Sequence, residues 1–267
     1  MKEFYFDTAN LEFIKSTSDQ LINKIDSKLI KGVTTNPNAF SKIDQYSLYQ
    51  WIETAEEIVN FIHELRGDSQ GEIHIQLPYS KFGKDDALKF ADHISNLPKD
   101  KIKVGMKIPP YNEFLNISEE LNQKVLTNVT GVSDHATAMK CISYGVNYVS
   151  IIPGRMEEVG IDAVSLMTYL FSSNHKSTRI ISGSMRTLDQ LVYTFQLNTI
   201  PTIGERVWPL LLEENNLEKI INIDYSHSFD SSKFSPNIDN RSYDLSASFF
   251  EQMDELGKTA SEDLKNI

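Results

Sequence analysis

Cysteine is almost missing from this chain: Cys141 is the single one among 267 residues. One thiol excludes an internal disulfide framework and a cysteine-based zinc site, and fits a reducing compartment. Its setting in the helical stretch AMKCISYG marks it as a small apolar core residue. Positive charge is also scarce, 26 Lys and Arg against 37 Asp and Glu, for a net charge of −11. Such a molecule repels nucleic acid and anionic lipid, so neither is an expected partner, and an anionic substrate needs a local basic cluster. No apolar run is long enough to cross a bilayer, and MKEFYFDTAN lacks the apolar segment of a secretory signal, so the expected location is the cytoplasm. Neither a G-x-G-x-x-G nor a P-loop occurs, which counts against nucleotide binding. No His/Asp/Glu group has the spacing of metal ligands, so neither a metal nor a cofactor is expected.

What is present is alternation. Strand-like runs at Glu3–Asp7, Leu29–Thr34, Glu72–Leu77, Ile102–Ile108, Val125–Thr130, Val146–Ile152, Arg179–Ser184 and Thr199–Ile203 are separated by helical stretches such as Leu48–Leu65, Asp85–Ile94, Asp134–Tyr144, Ala163–Phe171 and Leu188–Gln196. A parallel sheet with helical crossovers follows, and eight units in a chain of this length favour a closed (β/α)8 TIM barrel over an open sheet. The third strand supports closure. Glu72, His74 and Gln76 alternate with Ile73, Ile75 and Leu77, whereas a strand sandwiched between helical layers is apolar on both faces. The chain thus reads as one barrel domain over residues 1–267. Residues 222–267 form an appendage to it: a Ser/Asp/Asn-rich irregular excursion to Tyr243, then an additional C-terminal helix over Asp244–Ile267. That helix either packs on its own barrel or exchanges with a neighbouring subunit.

In KIKVGMKIPP, Ile102, Val104, Met106 and Ile108 alternate with Lys103, Gly105 and Lys107, and Pro109 ends the strand. Lys107 is either a surface lysine at a strand end or an amine held inside the barrel, with Gly105 leaving room beside its stem. In the second case partial desolvation lowers its pKa and makes it a nucleophile suited to Schiff-base chemistry. GVTTNPN after strand 2 places Thr34, Thr35 and Asn36 at the C-terminal mouth, where sites of this fold collect, or is a plain turn capping the next helix. Asp7 is either an inward acid or the N-cap of the following helix. His74 is either a base or a structural contact in the lower barrel.

FYFDTAN, GVTTNPN, the lysine of MKIP on strand 4, TNVT on strand 5, S-x-x-x-G-R after strand 6 and SGSMR after strand 7 occur in an order that resembles the transaldolase family, which includes the short transaldolases and fructose-6-phosphate aldolases. The likeness spans residues 3 to about 205. A lysine on the fourth strand separates this group from other class I aldolases, which carry theirs on the sixth. The resemblance implies that Lys107 forms an imine with C2 of a phosphorylated ketose and that Asp7 exchanges the C4 hydroxyl proton. Gln76 and Thr130 position a water for carbinolamine formation and dehydration. Thr34, Asn36, Asn128 and Ser150 hold the dihydroxyacetone end. Arg155, Ser184 and Arg186 bind phosphate, for which the arginine fork is suited; Arg206, in IGERVW, is a further basic residue outside that set.

The implied activity is transfer of a dihydroxyacetone unit from a donor such as fructose 6-phosphate to an aldehyde such as erythrose 4-phosphate, as in the pentose phosphate pathway. The alternatives are a lyase releasing free dihydroxyacetone and a catalytically silent sugar-phosphate-binding barrel. Phosphorylated sugars are the implied partners, with further copies of the chain in a homo-oligomer. The chain departs from the family at several points. Gln76 stands where transaldolases have glutamate and the aldolases have glutamine, while Asn128, Ser150 and Gly154 lean toward transaldolase. Ile152 replaces a Phe or Tyr, GVSDH follows Thr130 in place of an apolar continuation, and the tail beyond Asn215 is longer.

Overall fold

The structure, a computed structural model, describes residues 2–67, 70–98, 100–173, 177–213, 215–223 and 241–266. Eight parallel strands close into a barrel in sequence order: β1 Phe4–Asp7, β2 Ile30–Thr34, β3 Gly71–Gln76, β4 Ile102–Ile108, β5 Leu126–Val132, β6 Tyr148–Ile151, β7 Arg179–Ser182 and β8 Ile200–Gly204. Closure is made by β1, which pairs with both β2 and β8. The fold is therefore the expected (β/α)8 barrel.

Two-residue periodicity sorts the strands' side chains between two cores. Ile73, Ile75, Val104, Met106, Val129 and Val149 join the outer layer, where the strands meet the helices. The Leu48–Arg66 helix shows how that layer is built: a capping box of Ser47 and Gln50 starts it, and Trp51, Ala55, Ile58, Val59 and Ile62 form its buried stripe. Inside, Tyr5, Tyr148, Ile181 and Ile200, with Leu126 against them, form a separate cluster near the strands' starts that plugs the N-terminal end of the barrel. Lys107, Thr130 and Ser150 lie above that plug, toward the C-terminal mouth.

The room at Gly105 is used differently from the expectation. A Cβ there would lie 2.5 Å from Nδ1 of His74, so the glycine makes space for that ring on the neighbouring strand and not for the stem of Lys107.

The additional C-terminal helix is present as two segments, Arg241–Leu256 and Lys258–Asn266, separated at Gly257. Residues 224–240, which hold most of the expected irregular excursion, lie outside the described residues. The first segment lies over the mouth of its own barrel. Ser246 Oγ donates to the Gly131 carbonyl at 2.7 Å, and Ser133 and Ser242 each donate to the other's carbonyl at 3.1 Å. Asp254 accepts from the backbone N–H and hydroxyl of Ser80 at 2.6 and 2.7 Å. The second segment packs outside, where Asp263 accepts from the Leu48 N–H at 2.9 Å. Among the described residues no helix is long and apolar enough to cross a membrane.

Candidate active site

Lys107 points into the barrel and is buried at 7% exposure, its Nζ donating to the Thr35 carbonyl at 3.0 Å. Burial pulls its pKa below that of an ordinary lysine, against the opposing pull of the Asp7 charge. The open-solvent alternative for this lysine is thus removed. Asp7 lies at the end of β1 and accepts from Thr34 Oγ1 at 3.1 Å. It caps nothing: the next helix, Leu11–Leu21, is capped by Asn10, whose side chain accepts from the Phe13 N–H at 3.0 Å.

Two cavities sharing several lining residues open at the C-terminal mouth. The smaller, about 30 Å³, is lined by Asp7, Thr34, Lys107, Thr130, Ser150 and Ile152, among others. The larger, about 250 Å³, adds Arg155 and Arg186, with Lys42 and Arg206 also on its wall. Asp7, Asn36, Ser184 and Phe249 belong to both. Every expected site residue except Gln76 and Asn128 therefore lines one cavity or the other.

Those two residues sit on the strands flanking Lys107, paired in register with it on β3 and β5. Gln76 is 3% exposed and its Oε1 has no hydrogen-bond partner, leaving a buried acceptor open beside the amine. Asn128 is fully buried and its Oδ1 accepts from Ser150 Oγ at 2.7 Å. Asn36 serves two purposes. Its side chain caps the Pro37–Ser41 helix by accepting from the Ala39 N–H at 2.9 Å, while the residue also faces both cavities.

The basic end depends on the Pro153–Glu158 helix after β6 touching the loop after β7. A Cβ on Gly154 would lie 1.8 Å from the Ser184 carbonyl oxygen, so only glycine allows that approach. Ser184 itself has a φ of 58°, a left-handed conformation uncommon for a residue with a side chain. Arg186 is steered by its own loop and by Glu158: Nη1 donates to the Ser184 carbonyl at 3.0 Å and Nε to Glu158 at 2.9 Å. Arg155 is less well compensated. Burial and the neighbouring Arg186 charge lower its pKa, and its Nε is buried without a hydrogen-bond partner. Two guanidiniums held together with a donor left open form a place for an anion.

The sequence reading missed what the Arg241–Leu256 helix supplies. Phe249 is 5% exposed, lines both cavities, and lies 5.0 Å below the Arg155 guanidinium; Gln252 accepts from Arg155 Nη2 at 3.1 Å. The aromatic pair in SFFEQM was the available signal, but nothing local to it points toward the barrel mouth.

Deeper in the barrel, Glu72 accepts from Tyr5 at 2.7 Å and from Tyr148 at 2.8 Å, and lies 3.1 Å from both Lys31 Nζ and His74 Nε2. Burial pushes its carboxyl up, but the hydrogen bond from His74, the Lys31 charge and the hydrogen bond from Tyr5 outweigh that and hold it well below the usual carboxylate range. His74 is fully buried, and burial lowers its pKa despite Glu72. It lies below the cavities, as the structural reading of this histidine expects. Cys141 is buried too, its thiol pushed up to about 12 by burial.

The family model described as Transaldolase/Fructose-6-phosphate aldolase matches residues 4–263. A probable transaldolase of Lachnoclostridium phytofermentans is 30% identical over 188 residues, 69% of this chain and 77% of that protein. One from Coprothermobacter proteolyticus is 26% identical over 228 residues, 82% of this chain and 94% of its own length. Among solved structures, a Coccidioides immitis protein assigned provisionally as a fructose-1,6-bisphosphate aldolase superposes with a TM-score of 0.50 at 9% identity, covering 100% of this chain and 94% of that one, a likeness of fold.

Proposed function

Because the chain belongs to the transaldolase/fructose-6-phosphate aldolase family, we propose that it is a Schiff-base transaldolase acting on phosphorylated ketoses. The observation that carries this reading is the buried amine of Lys107, its pKa lowered, sharing a cavity with the Asp7 carboxylate. In the neutral form the amine attacks C2 of the ketose. The carbinolamine hydroxyl takes a proton from solvent at the cavity mouth and leaves as water, which the open acceptor of Gln76 and the hydroxyl of Thr130 receive, and an iminium remains. Asp7 takes the C4 hydroxyl proton, the C3–C4 bond breaks, and its electrons move into the iminium to give an enamine. The aldehyde leaves, an acceptor aldehyde takes its place, and the same steps run in reverse.

Thr34, Asn36 and Ser150 hold the three-carbon end, Asn128 acting through its bond to Ser150, and Arg155, Ser184 and Arg186 bind the phosphate. The distance between the two ends is spanned by the walls the cavities share. A lyase that releases dihydroxyacetone is the second reading, favoured by Gln76 in place of a carboxylate.

Incubation with fructose 6-phosphate followed by borohydride reduction tests the mechanism. The expected result is a stable adduct on Lys107, absent from Lys107→Ala together with turnover; turnover that survives in that variant refutes the imine. Omitting erythrose 4-phosphate then separates the readings, since a transaldolase releases almost no dihydroxyacetone without an acceptor.

A further inference from the structure

The buried pair Glu72 and His74 touches neither cavity, yet it is joined to Ser150 by an unbroken line of hydrogen bonds. Glu72 accepts from both tyrosines and faces Lys31, so it is an acceptor toward every partner it has in this network. The His74 nitrogen facing it at 3.1 Å, Nε2, must therefore carry the ring proton. The ring is neutral, since burial disfavours its charged form, and Nδ1 is left with only a lone pair. Asn128 approaches that lone pair at 3.1 Å and must present its NH₂. Its carbonyl oxygen is then turned to Ser150, which gives up its single hydroxyl proton at 2.7 Å. The ring cannot rotate out of this arrangement. Tyr5 and Tyr148 stand nearly perpendicular to it with centroids 5.3 and 5.0 Å away, and the Gly105 backbone closes in on a further side.

We infer that Glu72 and His74 are positioning residues that set the hydrogen-bond polarity of Ser150, so that its oxygen offers the cavity lone pairs alone and selects donors carrying a hydroxyl there. This rests on the imine-forming reading of the site for the identity of the donor. The chemical class selected is a ketose with a free hydroxyl next to the carbonyl carbon, at C1 or C3. A deoxy analogue leaves a buried acceptor without a partner and is rejected.

The experiment measures the rate of borohydride trapping on Lys107 with fructose 6-phosphate and with its 1-deoxy and 3-deoxy analogues. The wild type is expected to favour the parent over one of the analogues by about tenfold or more. His74→Phe keeps the ring but loses the acceptor, and should shrink that preference to within about threefold. His74→Gln returns an amide oxygen and should keep most of it. An undiminished preference in His74→Phe, or no preference in the wild type, overturns the proposal. If no donor labels Lys107 at all, the imine reading fails, and the polarity is decided separately by ¹⁵N NMR of His74 in the intact protein. A protonated Nε2 with a bare Nδ1 supports it; a proton on Nδ1 overturns it.

Discussion

The charge state of Lys107 is set by two opposed effects, burial that favours the neutral amine and the Asp7 carboxylate that favours the ammonium. The amine is a nucleophile only when neutral, so imine formation should rise with pH through a midpoint below the ~10.4 of a free lysine. Removing the carboxylate removes the effect that raises this pKa. In Asp7→Asn the midpoint of borohydride trapping should therefore move to still lower pH, while turnover falls by about 10²–10⁴-fold with the proton acceptor gone. A midpoint that stays put or moves to higher pH would mean that the two groups do not feel each other. Gly154 makes a second case at this scale. The alanine methyl has no room beside the Ser184 carbonyl, so Gly154→Ala must part the Pro153–Glu158 helix, which carries Arg155, from the loop carrying Arg186. Its KM for fructose 6-phosphate should rise severalfold while that for an unphosphorylated ketose changes little; equal rises would place the damage elsewhere than the anion site.

Among elements, the Arg241–Leu256 helix has the largest functional consequence and was the hardest to place. The strands were legible because inward and outward residues alternate within five or six positions of chain, as Glu72, His74 and Gln76 do against Ile73 and Ile75. The strand ends left Lys107 and Asp7 open between two readings each, and it was the resemblance to the transaldolase family that singled them out together with the arginines. Where the terminal helix docks depends instead on Ser133, Gly131 and Ser80, far away in sequence, and no periodicity encodes that. The same holds for His74, whose fit depends on a missing side chain on the next strand. The helix supports Arg155 from below through Phe249 and from the side through Gln252. A cation over an aromatic ring contributes about 0.5–2 kcal/mol, depending on how dry the site is. Phe249→Ala should therefore raise KM for the phosphorylated donor by roughly 2- to 30-fold. It also uncovers the space above Lys107, so more of the enamine should be lost to protonation, seen as free dihydroxyacetone in the presence of an acceptor. Unaltered KM and unaltered release together would show that the helix only covers the mouth.

At the scale of the whole molecule, barrel closure rests on a charged network as well as on the apolar plug. Glu3 joins Arg179 at 2.8 Å and Lys31 at 3.4 Å, and Lys31 joins Glu72, so one chain of ion pairs ties the start of β7 to β2 and β3 across the bottom of the barrel. Its pH response follows from the directions of the shifts. His74 has a lowered pKa in the fold, as does His135, in both cases chiefly through burial. Below about pH 6.5 the unfolded chain therefore binds protons that the barrel refuses, and stability falls with falling pH, by at most about 1.4 kcal/mol per pH unit for each site. Glu72 acts in the same direction at lower pH: its carboxylate is held ionised in the fold, so its contribution is present above about pH 4.3 and disappears below it. Urea midpoints should accordingly drop between pH 6.5 and 5. In His74→Gln that drop should be shallower, with the part due to His135 remaining. A wild-type midpoint that holds to pH 5, or an equal slope in the variant, would show that the buried ring takes up its proton without opening the barrel.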